Sequence, residues 1–419
     1  MARPMYAAAP PQRLVAPYTH GSIIDTRWRS RATVKPMLSE VADRSSCSEM
    51  EYVRLGSSDL MVSEACLGTM TFGRAHTYED GCRQMDYALS QGVNFFDTGA
   101  MYPAPVLPEL SGGTETIVGS WLKSRNCRDK VILTTKILGG GKSPLWNKNW
   151  TLGSSDQESS PKPGPEINPP EGLLNRRKII EGVEGSLTRL QTTHIDLYQI
   201  HWPARYVPLF GEEAYAQGKE HSYSSFEEQV EAMAEMIREG KIRHWGLANE
   251  TSYGVTKFCE AAKQLGLPPP VCVENNFSLT NRRLQSELAE TCSPMHCNVG
   301  LLAYGVLAGG TLAGKYLKGE RPQGARHTER PGFQKRYMSS GMMRATEKYV
   351  DLANRKGMTP ASLALAFCKH HRFVTSTIVG ASTMDQLTEN LKAFHIELDE
   401  ETLEEIEKIH LEDRNPGYG

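Results

Sequence analysis

The chain has 419 residues, 39% hydrophobic and 23% charged, with a formal net charge of -2. That composition supports a folded core and excludes a disordered chain. The balanced charge supplies no global attraction to nucleic acid or anionic lipid, and no apolar run reaches the roughly 20 residues of a membrane helix.

The first fifty residues stand apart. Residues 1–40 hold Arg3, Arg13, Arg27, Arg29, Arg31 and Lys35 against Asp25 and Glu40, with AAAPP at 7–11 and no apolar signal core. A basic, acid-poor leader of this kind predicts an organelle transit peptide. A disordered extension without an address has the same composition. The nine cysteines include no CxxC and no metal-ligand rhythm, so reduced, mostly buried thiols are expected.

Order is expected from Glu51, where EYVRLGSSDLMVSEACLG reads as a hairpin around GSSD. Short apolar, β-branched segments follow: 64–69, 94–99, 131–136, 195–201, 242–249, 271–277, 300–305 and 376–381. Helical stripes lie between them. Residues 176–190 align Ile179, Ile180, Val183, Leu187 and Leu190, and residues 225–240 align Phe226, Val230, Met233, Met236 and Ile237 before Gly240. Thr359 and Pro360 open a third helix. Eight strands alternating with helices predict a (β/α)8 TIM barrel, with residues 51–419 as one domain. It is longer than the typical ~250 residues, and insertions at 139–172 and 204–224 extend loops that follow strands.

Strand ends of a barrel converge on one mouth. Asp97 ends the second strand, Lys136 the third and His201 the fourth, and Tyr102 lies in the loop after the second. A phenol titrating near 10 is a weak acid at neutral pH. A neighbouring ammonium, Lys136, is expected to lower that value by roughly 1 to 3 units. Asp97 would hold Lys136 and offset its burial, and His201 would donate to a carbonyl oxygen. Each residue alone has an ordinary structural reading. Together at three successive strand ends they read as a site.

DTGAMY (97–102) resembles the DxxxxY motif of the aldo-keto reductase superfamily, and GGTETIVGSWL (112–122) its following helix. VILTTK, IDLYQIHWP and GKIRHWGLANE resemble its lysine, histidine and fifth strands. The similarity spans 51–419 and is closest to the Tas-like branch, including plant plastid members, which implies a plastid destination for the leader, with a mitochondrion or the cytoplasm as alternatives. It implies reduction of aldehydes or ketones to alcohols by hydride transfer from NADPH, NADH being the lesser alternative. Tyr102 is the implied acid, with Asp97, Lys136 and His201 completing the tetrad.

No GxGxxG follows a strand, and GGGKS at 139–143 fails as a P-loop because Lys136 occupies the first glycine's position. The resemblance implies an extended dinucleotide across the mouth. Its site would include Thr69, Tyr304 as the stacking aromatic, Gly305, Val306, Leu307 and Ala308 near the pyrophosphate, and Gly380, Ser382, Gln386, Glu389 and Asn390 near the adenosine phosphate. Lys315 and Arg326 would bind the 2′-phosphate, as similar residues do in the superfamily's potassium-channel beta subunits. Two departures touch the nicotinamide carboxamide, implied to be held by Asn249 and Glu274. Ala248 precedes Asn249 where relatives have serine, and Glu274 replaces glutamine; a carboxylate accepts but cannot donate. Gly305 replaces a frequent serine.

Phe72, Trp202, Tyr206 and Trp150 are candidate pocket aromatics for a small-molecule carbonyl substrate. Two other readings compete. One is an NADPH-binding regulatory module like the channel subunits, with little turnover. The other is a hydrolase or lyase barrel with Asp97 as base, which predicts a metal or phosphate site; no metal-ligand cluster is visible, and His370–His371 reads as solvated surface. Neither a nucleic-acid nor a membrane partner is expected, and the oligomeric state is not readable.

Overall fold

The computed structural model describes residues 50–137 and 174–418. Residues 1–49 of the expected leader, the 139–172 insertion and Trp150 within it lie outside the described residues.

Strands β1 (Tyr52–Arg54) and β2 (Met61–Ser63) form the antiparallel hairpin. Strands β3 (Ala65–Gly68), β4 (Phe95–Asp97), β5 (Ile132–Ile137), β6 (Ile195–Ile200), β7 (Ile242–Ala248), β8 (Cys272–Asn276), β9 (Gly300–Tyr304) and β10 (Val374–Val379) close a parallel barrel, with β10 pairing to both β9 and β3. The expected strands are all present; six have their ends trimmed by a residue or two, while β5 is shifted one residue later and β10 two residues earlier than the expected 131–136 and 376–381.

Alternation along each strand explains the layers. Cys66, Phe95, Leu197, Cys272 and Leu302 fill the barrel interior, and Leu55, Leu60 and Val62 of the hairpin pack beneath them as a plug. Two residues further along the same inward rows stand Asp97, Gln199, Glu274 and Tyr304. The opposite faces meet the surrounding helices in the larger core. In helix Phe226–Arg238, Val230, Met233 and Met236 are fully buried, each contributing about 1.5–3 kcal/mol. Ser225 caps its start by accepting from the Glu228 amide at 3.1 Å. Helix Pro360–His370 begins as expected, with Thr359 accepting from Ser362 N at 3.1 Å. All eight described cysteines are free thiols.

One expectation outside the site is corrected. His370 is exposed as expected, but His371 is half-buried: its ring stacks on Phe373 at 4.9 Å and meets Phe367 edge-on at 4.6 Å, and burial pulls its pKa down to about 3. Among the described residues, no helix is long and apolar enough to cross a membrane.

Candidate active site

The mouth at the C-terminal ends of the strands opens into a cavity of about 790 Å³, lined by Asp97, Tyr102, His201, Asn249, Glu274 and Tyr304 among others. That volume is within the usual range for a ligand pocket. Lys136 lies just behind the wall with no exposed surface. Its ammonium pairs with Asp97, donates to the Thr98 carbonyl at 3.1 Å and stands 3.1 Å from Glu274 Oε2. Burial works against this charge, but the two carboxylates outweigh it and raise the pKa well above the usual lysine value.

Tyr102 is 7% exposed. Lys136 Nζ lies 5.5 Å from its ring centre, and the His201 ring meets it edge-to-face at 5.6 Å. Its loop is tied down by a hydrogen bond from Tyr102 N to the Gly99 carbonyl at 3.0 Å. Gly99 packs closely under the phenol: a side chain there would come within 3.1 Å of the Tyr102 ring and press on it. Here one expectation reverses. Burial raises the phenol's pKa, Lys136 pulling down and Asp97 with Glu274 pushing up, so desolvation outweighs the ammonium.

His201 is held by its backbone: its N–H donates to Ile137 at 3.0 Å and its carbonyl accepts from Asn249 Nδ2 at 2.7 Å. Burial first, then Lys136, pull its pKa well below 6.5, so the ring is neutral. Its Nδ1 is buried and unpartnered among the described residues. Asn249 takes a left-handed backbone (φ +57°) and accepts from the Tyr304 hydroxyl at 2.5 Å, fixing that ring at the wall.

The other implied cofactor residues divide. Gly305, Val306, Leu307, Lys315, Arg326, Gly380, Ser382, Gln386, Glu389 and Asn390 line the same cavity as Tyr304. Thr69 and Ala308 do not. The Thr69 hydroxyl donates to the Asp97 carbonyl at 2.8 Å, joining β3 to β4, and Ala308 is fully buried behind the wall. Gly305 has φ +72°, and a side chain there would meet the Tyr337 hydroxyl at 2.8 Å, which accounts for glycine in place of serine. Gln386 Oε1 accepts from the Ser382 amide at 3.1 Å where helix Met384–Lys392 begins.

Of the expected pocket aromatics, Trp202 lines the cavity. Phe72 does not; it is buried against Gly81 and His76. Tyr206 also stays off the wall, donating to Glu212 at 2.9 Å and packing on Tyr215. Phe210 and Phe333 line the cavity instead, and Phe333 joins an apolar cluster with Met101, Tyr102, Ala104, Val106 and Trp202. Neither was expected from sequence, although Phe210 sits in the 204–224 insertion. Phe333 comes from the long segment after β9, which also supplies Lys315, Arg326, Arg330 and Arg336. Its 3₁₀ turns carry neither helical nor strand periodicity, so pattern reading could not place them.

The cavity cations fit a polyanionic ligand. Arg74 donates to the Pro105 carbonyl and Arg326 to Gln334, yet among the described residues none of Arg74, Lys315, Arg326 and Arg330 forms a salt bridge. Burial and the neighbouring Arg326 lower the pKa of Lys315; burial and Arg330 do the same to Arg74. Glu389 and Glu109 oppose these shifts more weakly than burial and the neighbouring cations impose them, so the wall favours an anion. No group of three or more His, Cys, Asp or Glu suited to a metal occurs among the described residues.

Residues 64–411 match the Aldo/keto reductase family. Protein tas of Escherichia coli (strain K12) is 41% identical over 361 residues, covering 86% of this chain and 98% of that protein. An uncharacterized oxidoreductase, YrpG, of Bacillus subtilis is 32% identical over 86% of this chain and 96% of its own length. An aldo-keto reductase of Babesia bovis is 36% identical over 58% of this chain and 90% of its own length. With a closed eight-stranded barrel, four side chains meeting at its mouth and a family match across most of its length, the chain belongs to the aldo/keto reductase family.

Proposed function

We propose that this oxidoreductase reduces aldehydes or ketones with NADPH, using Tyr102 as proton donor. The observation that carries the reading is the meeting of Tyr102 with His201 and the Asp97–Lys136 pair at one cavity wall. Bound NADPH would supply the hydride. Tyr304 offers an aromatic face for the nicotinamide, held by Asn249, while Lys315 and Arg326 offer charge for the 2′-phosphate.

The substrate carbonyl oxygen would sit between the Tyr102 hydroxyl and the neutral His201 ring. His201 orients and polarises that oxygen, and Tyr102 delivers its proton as negative charge develops there. A raised phenol pKa keeps the proton in place until then, and Lys136 stabilises the phenolate left behind. The apolar cluster of Met101, Trp202 and Phe333 would exclude water from the reacting atoms.

The decisive experiment is NADPH and NADH oxidation by the pure protein across a panel of carbonyls, beside Tyr102→Phe. We expect turnover that prefers NADPH and falls by about 10²–10⁴ in the variant. Near-wild-type turnover in Tyr102→Phe would sink the assignment. Tight NADPH binding with no turnover on any carbonyl would favour a binding module.

A further inference from the structure

Glu274 stands on the inward row of β8 and is 5% exposed. A single oxygen, Oε2, lies 3.1 Å from Lys136 Nζ and accepts from Gln199 Nε2 at 3.1 Å. Gln199 is itself fixed, donating to Thr134 Oγ1 at 2.9 Å and accepting from the Cys272 thiol at 3.6 Å. The carboxylate is thus aimed at the ammonium by a neighbour with its own anchors. A glutamine would fill the same space without charge, so the charge needs an explanation.

Resting on the reductase reading, we propose that Glu274 is a positioning residue for the proton donor: with Asp97 it holds Lys136 and sets the charge that Tyr102 feels, rather than gripping the nicotinamide carboxamide. Buried around one ammonium are two carboxylates, from β4 and β8. The ionisable groups facing Glu274 are Lys136 of β5, Asp97 of β4, Cys66 of β3, Cys272 of its own strand and Tyr102. Lys136 is the single cation of that group, leaving one carboxylate in excess. Two buried carboxylates sharing one counter-ion do not both ionise readily. Accordingly, burial and Glu274 push the Asp97 carboxyl up to about 7. Above that value both carboxylates are ionised, and the surplus negative charge disfavours phenolate at Tyr102, so the phenol keeps its proton until charge develops on the substrate oxygen.

The test uses full-length protein and the variants Glu274→Gln and Glu274→Asp. Two readouts need no turnover. Wild type should show the infrared band of a protonated carboxyl at neutral pH, and its melting temperature should fall as pH rises from 5 to 7, since a carboxyl held protonated by the fold loses that stabilisation on ionising. Glu274→Gln should lose both features and Glu274→Asp keep them. The NADPH dissociation constant should stay within about threefold in both variants. The alkaline limb of the pH profile for carbonyl reduction should shift down by about one unit in Glu274→Gln, the effect of removing one negative charge beside the phenol above pH 7. The proposal is overturned if Glu274→Gln weakens NADPH binding tenfold or more while leaving the carboxyl band and the stability profile intact. It is equally overturned if Glu274→Gln changes none of these quantities. A wild type without turnover would sink the reductase reading, and the infrared and stability profiles would still judge Glu274.

Discussion

Replacing Lys136 with methionine should produce a stability defect that grows with pH. The lysine has no exposed surface, pairs with Asp97 and lies 3.1 Å from Glu274. Methionine fills most of the stem's volume and removes the charge, leaving both carboxylates without a counter-ion. Unpairing a buried charge costs about 3–5 kcal/mol. The cluster can avoid part of that cost by binding about one more proton than wild type. Folded-state carboxyls then titrate well above their unfolded values of about 4. Such a shift stabilises the fold at low pH, and the stabilisation is lost as pH rises through the folded value. Each retained proton gives a slope of about 1.4 kcal/mol per pH unit, or about 4 kcal/mol between pH 5 and 8. Urea denaturation of wild type, Lys136→Met and the double variant Lys136→Met/Asp97→Asn at pH 5, 6.5 and 8 measures this. The gap between wild type and Lys136→Met should widen toward pH 8, and the double variant should recover part of it. A gap constant with pH, or a double variant no more stable than Lys136→Met at pH 8, would refute the charge accounting behind the site.

Other perturbations follow from the same contacts. Lys315→Ala and Arg326→Ala should each weaken NADPH binding by about 10- to 100-fold, the size of a lost charge-assisted hydrogen bond, and leave NADH nearly unchanged; fluorescence titration with both cofactors checks this. Asn249→Gly keeps the left-handed backbone but drops the Tyr304 contact, so NADPH binding should weaken about 3- to 10-fold. Asn249→Ala should add about 1–2 kcal/mol of backbone strain, visible as a lower melting temperature than the glycine variant. With its pKa depressed to about 3, His371 contributes stability that is present above about 6.5 and lost as pH falls toward 3. His371→Phe should flatten the acid limb of the stability profile, and an unchanged limb would show that other groups set it.

Much of the architecture was readable locally. A strand buried on both faces leaves a short apolar run, and a helix leaves a stripe, so the eight strands and the caps at Ser225 and Thr359 follow from residues near each other in the chain. Strand-end position was enough to bring Asp97, Lys136, His201 and Tyr102 to one mouth, because a barrel collects all its strand ends on the same face. Partners across the ring were not readable. That Glu274 meets Lys136, that Thr69 spends its hydroxyl on Asp97, and that Phe72 and Tyr206 leave the cavity wall to Phe210 and Phe333 depend on the register in which the sheet closes and on how loops fold over it. The direction of the Tyr102 shift belongs with these. The spacing of residues names the lysine beside the phenol, but the depth of burial decides that desolvation wins.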